Sequence, residues 1–338
     1  MRTRNRNLPA AMAVAALAVA CAACGTSAAG SAGTGSAGTG SAGSATGSAS
    51  NGSAGTVAST GFPVTVSTAA GTMRIQARPD AIVSLSPTAT EMLYAIGAGS
   101  QVKAVDSLSD YPASAPVTKL SAYQPNAEAI AAYKPDLVII SNDLDGIIAK
   151  LRELSIPVLD LPAAANLSGV YGEFTQLGEA TGHVAQARRE DDTLRLAISK
   201  IIAAVPEQAK PITYYYELAT NPYYSVTSST FIGSVLSLLG MKSIADAAKG
   251  AAAAGGYPTL SAEFILKANP DYIILADTGP TGGGQSAATV SARPGWSVLS
   301  AVKDKHFILL NADIASRWGP RVVQLLQTVA AAVTGRSH

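Results

Sequence analysis

The stretch Asn126-Ala127-Glu128-Ala129-Ile130, leading to Lys134-Pro135-Asp136-Leu137-Val138-Ile139-Ile140, is matched 135 positions later by Ser261-Ala262-Glu263-Phe264-Ile265 and Asn269-Pro270-Asp271-Tyr272-Ile273-Ile274-Leu275. In each copy a residue type that caps helices precedes a short apolar-periodic run, a Pro-Asp turn stops it, and a continuous β-rich apolar run follows. The pattern reads as helix, turn and buried parallel strand. Two copies imply a chain built from two similar halves, each with one glutamate in the first turn of the equivalent helix. Such a chain can grip a partner with both lobes at once.

Outward from the first copy, Ile82-Val83-Ser84-Leu85-Ser86 reads as a strand, followed by Pro87 and a helix opening at Thr88. Thr88-Ala89-Thr90-Glu91 has the spacing of a capping box, which would turn Glu91 back onto the helix start. Met92, Leu93 and Ile96 supply the apolar face, Gly97 and Gly99 the stop, and Val102–Val105 the next strand. Strand, helix, strand points to a parallel sheet. Further on, Asp143 or Asp145 is placed to cap a helix carrying Ile147, Ile148, Leu151 and Leu154, ahead of a strand at Pro157–Asp160.

From Gly182 or His183 to about Val205 there is no turn signal, and apolar residues such as Val184, Leu194, Ile198 and Ile201 lie among charged ones. One helix of roughly 33 Å is expected, long enough to cross between lobes. Tyr214–Leu218 then begins a second set of strands, and Ser228-Ser229-Thr230 precedes a helix closed by Gly240. The second half repeats the plan of the first.

The chain has 338 residues, 48% hydrophobic and 14% charged, enough for about two domains with large cores. Arg2, Arg4 and Arg6 precede an apolar run from Leu8 to Ala20, which reads as an export signal because it is short for a bilayer span. The only cysteines, Cys21 and Cys24, end that run, and the residues around both resemble the bacterial lipoprotein cleavage box; either is the expected lipidation site. A disulfide between two residues so close would staple nothing. From Gly25 to about Gly61 the chain is almost wholly Gly, Ser, Ala and Thr, a composition too polar and small to pack, and there is no charged residue between Arg6 and Arg74. The expected organisation is a signal peptide over 1–24, a flexible tether over 25–72 with an end-to-end span on the order of 35 Å, and a folded part from about Met73.

Several functions lack residues to carry them. The three histidines, His183, His306 and His338, are far apart in sequence and both cysteines lie in the signal region, so no direct metal site is expected and no cofactor is implied; any metal arrives inside a chelated ligand. Without the three signal arginines, 21 basic residues face 23 acidic ones, which gives nucleic-acid binding no electrostatic support. There is no Gly-x-Ser-x-Gly elbow and no recognisable nucleophile partner for Asp313 or His306, so no enzyme is expected. Gly279–Ser286 has neither a phosphate-loop nor a dinucleotide spacing and reads as a surface loop. Trp296, after Arg293-Pro294-Gly295, reads as a packing anchor, and Trp318 beside Arg317 is open to either role.

The segments Ile82–Glu91, Asp110-Tyr111-Pro112, Lys134–Ile139 and Gly319-Pro320-Arg321, in this order and spacing, resemble the iron-siderophore and vitamin B12 substrate-binding proteins of ABC importers over residues 80 to 333. The resemblance implies an α/β fold of the class III periplasmic-binding-protein type. Two Rossmann-like lobes with parallel sheets, residues 80–181 and 206–334, are joined by a single long rigid helix over 182–205, with the ligand in the cleft between them.

The same resemblance places residues. Glu128 and Glu263 match the carboxylates, one per lobe, that dock on arginines of the permease, a role compatible with the dipole complementarity of any first-turn acid. Tyr111, Tyr123 and Tyr257 fall where relatives of the vitamin B12 binder carry aromatic residues, Tyr223 and Tyr224 are further candidates, and Asp313 and Arg317 match polar cleft positions. Where family members carry tryptophan, this chain has Tyr123, Ser141 and Tyr257. The implied protein is a monomer, exported and lipid-anchored on the outer face of the cell membrane. It would hand a corrinoid or a ferric chelate to an ABC permease dimer with its ATPase subunits, a sensor, adhesion protein or enzyme on this fold being the alternative.

Overall fold

A computed structural model describes residues 61–69, 71–279 and 283–335. The signal segment, Cys21, Cys24, the stretch up to residue 60 and residues 280–282 of the Gly-rich loop lie outside the described residues. The chain enters as an antiparallel hairpin, β1 (Val64–Thr68) and β2 (Gly71–Ile75). This corrects the tether boundary at 72 and the start of folding at Met73. Alternation places Val66 and Ile75 on the inward face, where both are buried, and the Gln176 side-chain amide donates to the Ser67 carbonyl at 2.6 Å.

In the first lobe, β3 (Ile82–Leu85), α1 (Pro87–Ala95), β4 (Val102–Asp106), β5 (Val117–Leu120), α2 (Ala127–Ala131), β6 (Leu137–Ile140), α3 (Ile147–Glu153) and β7 (Val158–Asp160) build a parallel sheet of order β5-β4-β3-β6-β7. All four residues of β3 and of β6 are buried, as strands covered on both faces require. α1 starts differently from the capping-box expectation. Ser86 is the N-cap, its hydroxyl accepting from Ala89 N, and Pro87 takes the first turn, where its missing N–H costs nothing. Glu91 is thereby released from the helix start and buried. At α3 the N-cap position is Gly146, in left-handed backbone, and Asp143 accepts from the first-turn Ile148 N at 2.9 Å.

Two helices follow, α4 (Leu167–Thr181) and α5 (Val184–Ala204), separated by Gly182 in the left-handed conformation. α5 is the expected connecting helix, and it packs on α4 and on the final helix of the chain. A Cβ at Gly178 would stand 2.6 Å from that of Ala187, so the close crossing of α4 and α5 needs glycine there.

The second lobe contains β8 (Ile212–Glu217), β9 (Ala219–Thr220), β10 (Tyr223–Tyr224), α6 (Phe231–Ser237), β11 (Met241–Ser243), β12 (Thr259–Leu260), α7 (Ala262–Ala268), β13 (Tyr272–Leu275), α8 (Ala287–Ser291), α9 (Ser300–Lys303), β14 (Phe307–Leu309), α10 (Ala312–Ser316) and α11 (Val322–Val333). Its parallel sheet has the order β11-β8-β13-β14, which repeats β4-β3-β6-β7, and a small antiparallel sheet β12-β10-β9 lies beside it. The repeat extends to individual bonds. Asn126 and Ser261 accept from the backbone N–H three residues on, and Lys134 and Asn269 both take left-handed backbone before the Pro-Asp turn. The turn aspartates then tie each strand to its neighbour, Asp136 accepting from Asp80 N and Ala81 N, and Asp271 from Thr213 N and Oγ1. One continuous core runs from Ile82 and Phe174 through Leu194 and Ile198 of α5 to Tyr214 and Leu325, joining the lobes through the connecting helix. No helix among the described residues is long and apolar enough to cross a membrane.

Candidate functional site

In each sheet the strand order reverses beside the central strand, between β3 and β6 and between β8 and β13, and open parallel sheets bind ligands outside the carboxyl ends of such strands. Tyr111 and Tyr123 follow β4 and β5; Tyr223 and Tyr224 follow β8; Asp313 and Arg317 follow β14. The two carboxyl edges face each other, because residues from one reach residues of the other.

That contact centres on Glu91. Arg317 Nη1 donates to Glu91 Oε1 at 2.9 Å, while its Nη2 donates to the Leu108 carbonyl, Asp110 and Asp313 at 2.9, 3.0 and 2.8 Å. Arg321 adds a two-point contact to the same carboxylate, Nε to Oε2 at 2.9 Å and Nη2 to Oε1 at 2.6 Å. Its guanidinium lies 4.4 Å from the ring centre of Tyr111, a cation–π stack. Burial works against the charge of Arg317, and its bonds to Glu91 and Asp110 outweigh that and hold its proton more tightly than usual. The sequence expectation placed Arg317 among polar ligand contacts; its donors are engaged by protein groups, and the residue is buried at the junction of the lobes. Asp313, four residues earlier, is one of those partners. Next to it, Trp318 Nε1 donates to both oxygens of buried Glu173, at 3.1 and 3.0 Å. Trp318 thus joins the interlobe contact.

The candidate tyrosines differ in exposure and packing. Tyr111, Tyr123 and Tyr257 are 45%, 64% and 38% exposed, high values for large rings. Burial raises the Tyr257 hydroxyl above its ordinary pKa. Tyr223 and Tyr224 are half-buried in β10, paired with Leu260 and Thr259 of β12. Tyr223 packs on buried Trp296 with centroids 5.5 Å apart. Between the carboxyl ends of β3 and β6, Leu85, Ala122, Pro125, Ile140, Ser141 and Asn142 line a recess of about 10 Å³, room for roughly one water.

A larger hollow, about 500 Å³, opens at the opposite, amino-terminal edge of the second sheet near Lys210, Tyr272, Asp304 and His306. The carboxyl-edge cleft is the better candidate. In the hollow, His306 stacks on Tyr272 at 4.7 Å and contacts the Asp271 carbonyl, and Asp271 is used by Thr213, so its polar groups serve the fold. Among the described residues no group of three or more His, Cys, Asp or Glu side chains is placed to hold a metal ion.

Glu128 and Glu263 are exposed, each in the first turn of its helix. Bonds from its own backbone N–H and from the Ser261 side chain hold the Glu263 carboxyl below its ordinary pKa. Sequence reasoning missed Glu91, Glu173, Glu217, Arg293 and Asp277. Glu217 and Asp277 had one local signal, an acid at the end of a buried apolar strand.

The comparisons agree with this geometry. The "Periplasmic binding protein" family model matches residues 82–314. An uncharacterized ABC transporter substrate-binding lipoprotein, YvrC of Bacillus subtilis, is 30% identical over 80% of this chain and 86% of its own length. The vitamin B12-binding protein of Pectobacterium carotovorum is 29% identical over 77% of this chain and 91% of its own. The crystal structure of the periplasmic vitamin B12 binding protein BtuF of Vibrio cholerae superposes with a TM-score of 0.62 at 25% identity, covering 76% of this chain and 97% of that one. With two parallel-sheet lobes, a connecting helix and facing carboxyl edges, the chain belongs to the periplasmic binding protein family.

Proposed function

We propose that this protein is the substrate-binding lipoprotein of an ABC importer, anchored through Cys21 or Cys24, and that it captures a corrinoid, or another chelate of little net charge, between its lobes. One observation carries the ligand class: among the described residues, Arg317 and Arg321 at the junction of the lobes are already matched by Glu91, Asp110 and Asp313. A multiply anionic ferric chelate would need unspent cations where it is desolvated. Tyr111, Tyr123 and Tyr257 are large exposed aromatic residues, a residue type that suits a broad ring system with an amide fringe. The names of the B12-binding relatives support the same choice.

Delivery uses Glu128 and Glu263, one per lobe, as charge-assisted contacts to permease arginines. In vesicles carrying the cognate permease and ATPase, the wild-type protein is expected to support uptake of labelled cyanocobalamin. Glu128→Arg with Glu263→Arg should bind the ligand as before and reduce uptake at least about tenfold, since like charges would now meet. Undiminished uptake by the double variant would remove the docking assignment.

A further inference from the structure

Behind Tyr223 lies a buried charge cluster that ligand capture, as described, does not use. β8 ends at Glu217, which is fully buried, and its parallel neighbour β13 is followed two residues on by Asp277, 2% exposed. Glu217 Oε1 accepts from Arg293 Nη2 at 2.7 Å, and Oε2 accepts from Arg293 Nη1 at 2.6 Å and Tyr215 OH at 3.0 Å. Arg293 Nη2 also donates to Gln285 Oε1 at 2.8 Å. The guanidinium so fixed lies 4.6 Å from the Trp296 ring and 5.2 Å from the Tyr223 ring. Tyr223 therefore rests on an arginine whose position Glu217 dictates.

Asp277 breaks the balance of this cluster. Among the described residues neither of its oxygens has a hydrogen-bond partner, and the titratable groups facing it are Glu217, Tyr215 and Tyr216 from β8 and Arg293. The cluster holds two buried carboxyls and one guanidinium, and the guanidinium is forked on Glu217. One proton on Asp277 restores the neutrality of the cluster.

We propose that Glu217, Asp277 and Arg293 are a proton-dependent positioning cluster for Tyr223: with Asp277 protonated, Arg293 stays forked on Glu217 and supports the ring, and loss of that proton to solvent lets the two carboxylates compete for Arg293 and loosens the ring. The consequence for affinity rests on the reading that Tyr223 faces the ligand. Burial first, and then the charge of Glu217, pushes the Asp277 carboxyl up to about 7, so both states are accessible near neutrality. A ligand that favours the supported ring takes up a proton, and binding tightens as pH falls through that value.

The test is ¹⁹F NMR of the full chain labelled with 5-fluorotryptophan, whose two resonances are assigned with Trp318→Phe. The Trp296 resonance of the wild-type protein, without ligand, is expected to titrate with a midpoint near pH 7, and Asp277→Asn to abolish that transition while Asp277→Glu keeps one. Cyanocobalamin Kd should weaken roughly five- to tenfold from pH 6 to pH 8.5 in wild type and stay flat in Asp277→Asn. A Trp296 resonance that does not titrate, or one that titrates unchanged in Asp277→Asn, would overturn the proposal. A transition that vanishes in Asp277→Asn supports the cluster even if cyanocobalamin does not bind, and that second result would sink the corrinoid reading alone.

Discussion

Glu91→Ala is expected to destabilise the protein by roughly 3–5 kcal/mol, the cost of breaking a buried ion pair from one side. The carboxylate is inaccessible, and among the described residues it alone pairs with Arg321, whose side chain is 11% exposed, while sharing Arg317, which is 7% exposed. Removing it leaves two desolvated guanidinium groups and, among the described residues, the carboxylates of Asp110 and Asp313, both paired to Arg317. Because Glu91 belongs to the first lobe and both arginines to the second, the damage falls on the junction of the lobes. Asp110→Asn is the contrast: its side chain is 61% exposed, and its loss should cost under about 1 kcal/mol. Urea unfolding of the three proteins side by side decides the matter. A Glu91→Ala midpoint equal to that of wild type would show that the cluster does not hold the lobes together.

Glu173→Gln is expected to stabilise the protein at alkaline pH and to flatten its pH dependence. Burial raises the Glu173 carboxyl to about 8, opposed by the Trp318 N–H. The unfolded chain releases this proton from about pH 4.5 upward, whereas the folded chain keeps it until about 8. Unfolding therefore releases a proton over that window, stability falls as pH rises through it, and the dependence levels off above it. Glutamine can still accept from Trp318 and carries no charge to bury. At pH 8.5 the gain is about 5 kcal/mol at most, and at pH 4 it vanishes. Asp277 adds to the wild-type slope with the same sign, over its own window ending near 7. Denaturation at pH 4.5 and 8.5 measures the difference; parallel profiles for Glu173→Gln and wild type would contradict it.

The features that could be read from the sequence are those written within a few residues. Asn126 and Ser261 cap helices whose N–H groups are three positions away, and the Pro-Asp turns bring each second-half residue to the geometry of its first-half partner. The connecting helix was visible because nothing interrupts Val184–Ala204. The hairpin at Val64–Ile75 was hidden by its surroundings: a five-residue alternation carries little signal next to a long Gly/Ser/Ala tract, and only the contact with α4 reveals its inward face. Glu91 was misread for a related reason. Its spacing from Thr88 fits a local cap, whereas its partner Arg321 lies 230 positions away, where no local pattern points. The same distance applies to Arg317, whose partners Glu91 and Asp110 lie more than 200 positions away and are brought to it only by the assembled lobes.

The most direct test of the central claim is a calorimetric titration of the protein from residue 61 onward with cyanocobalamin, cobinamide, haem and a panel of ferric siderophores of differing charge. Saturable one-to-one binding of a corrinoid, lost or weakened when Tyr111, Tyr123 or Tyr257 is replaced by alanine, is the expected result. Binding of multiply anionic ferric siderophores and of no corrinoid would contradict it, showing that cations now bound to Glu91, Asp110 and Asp313 are given up to the ligand.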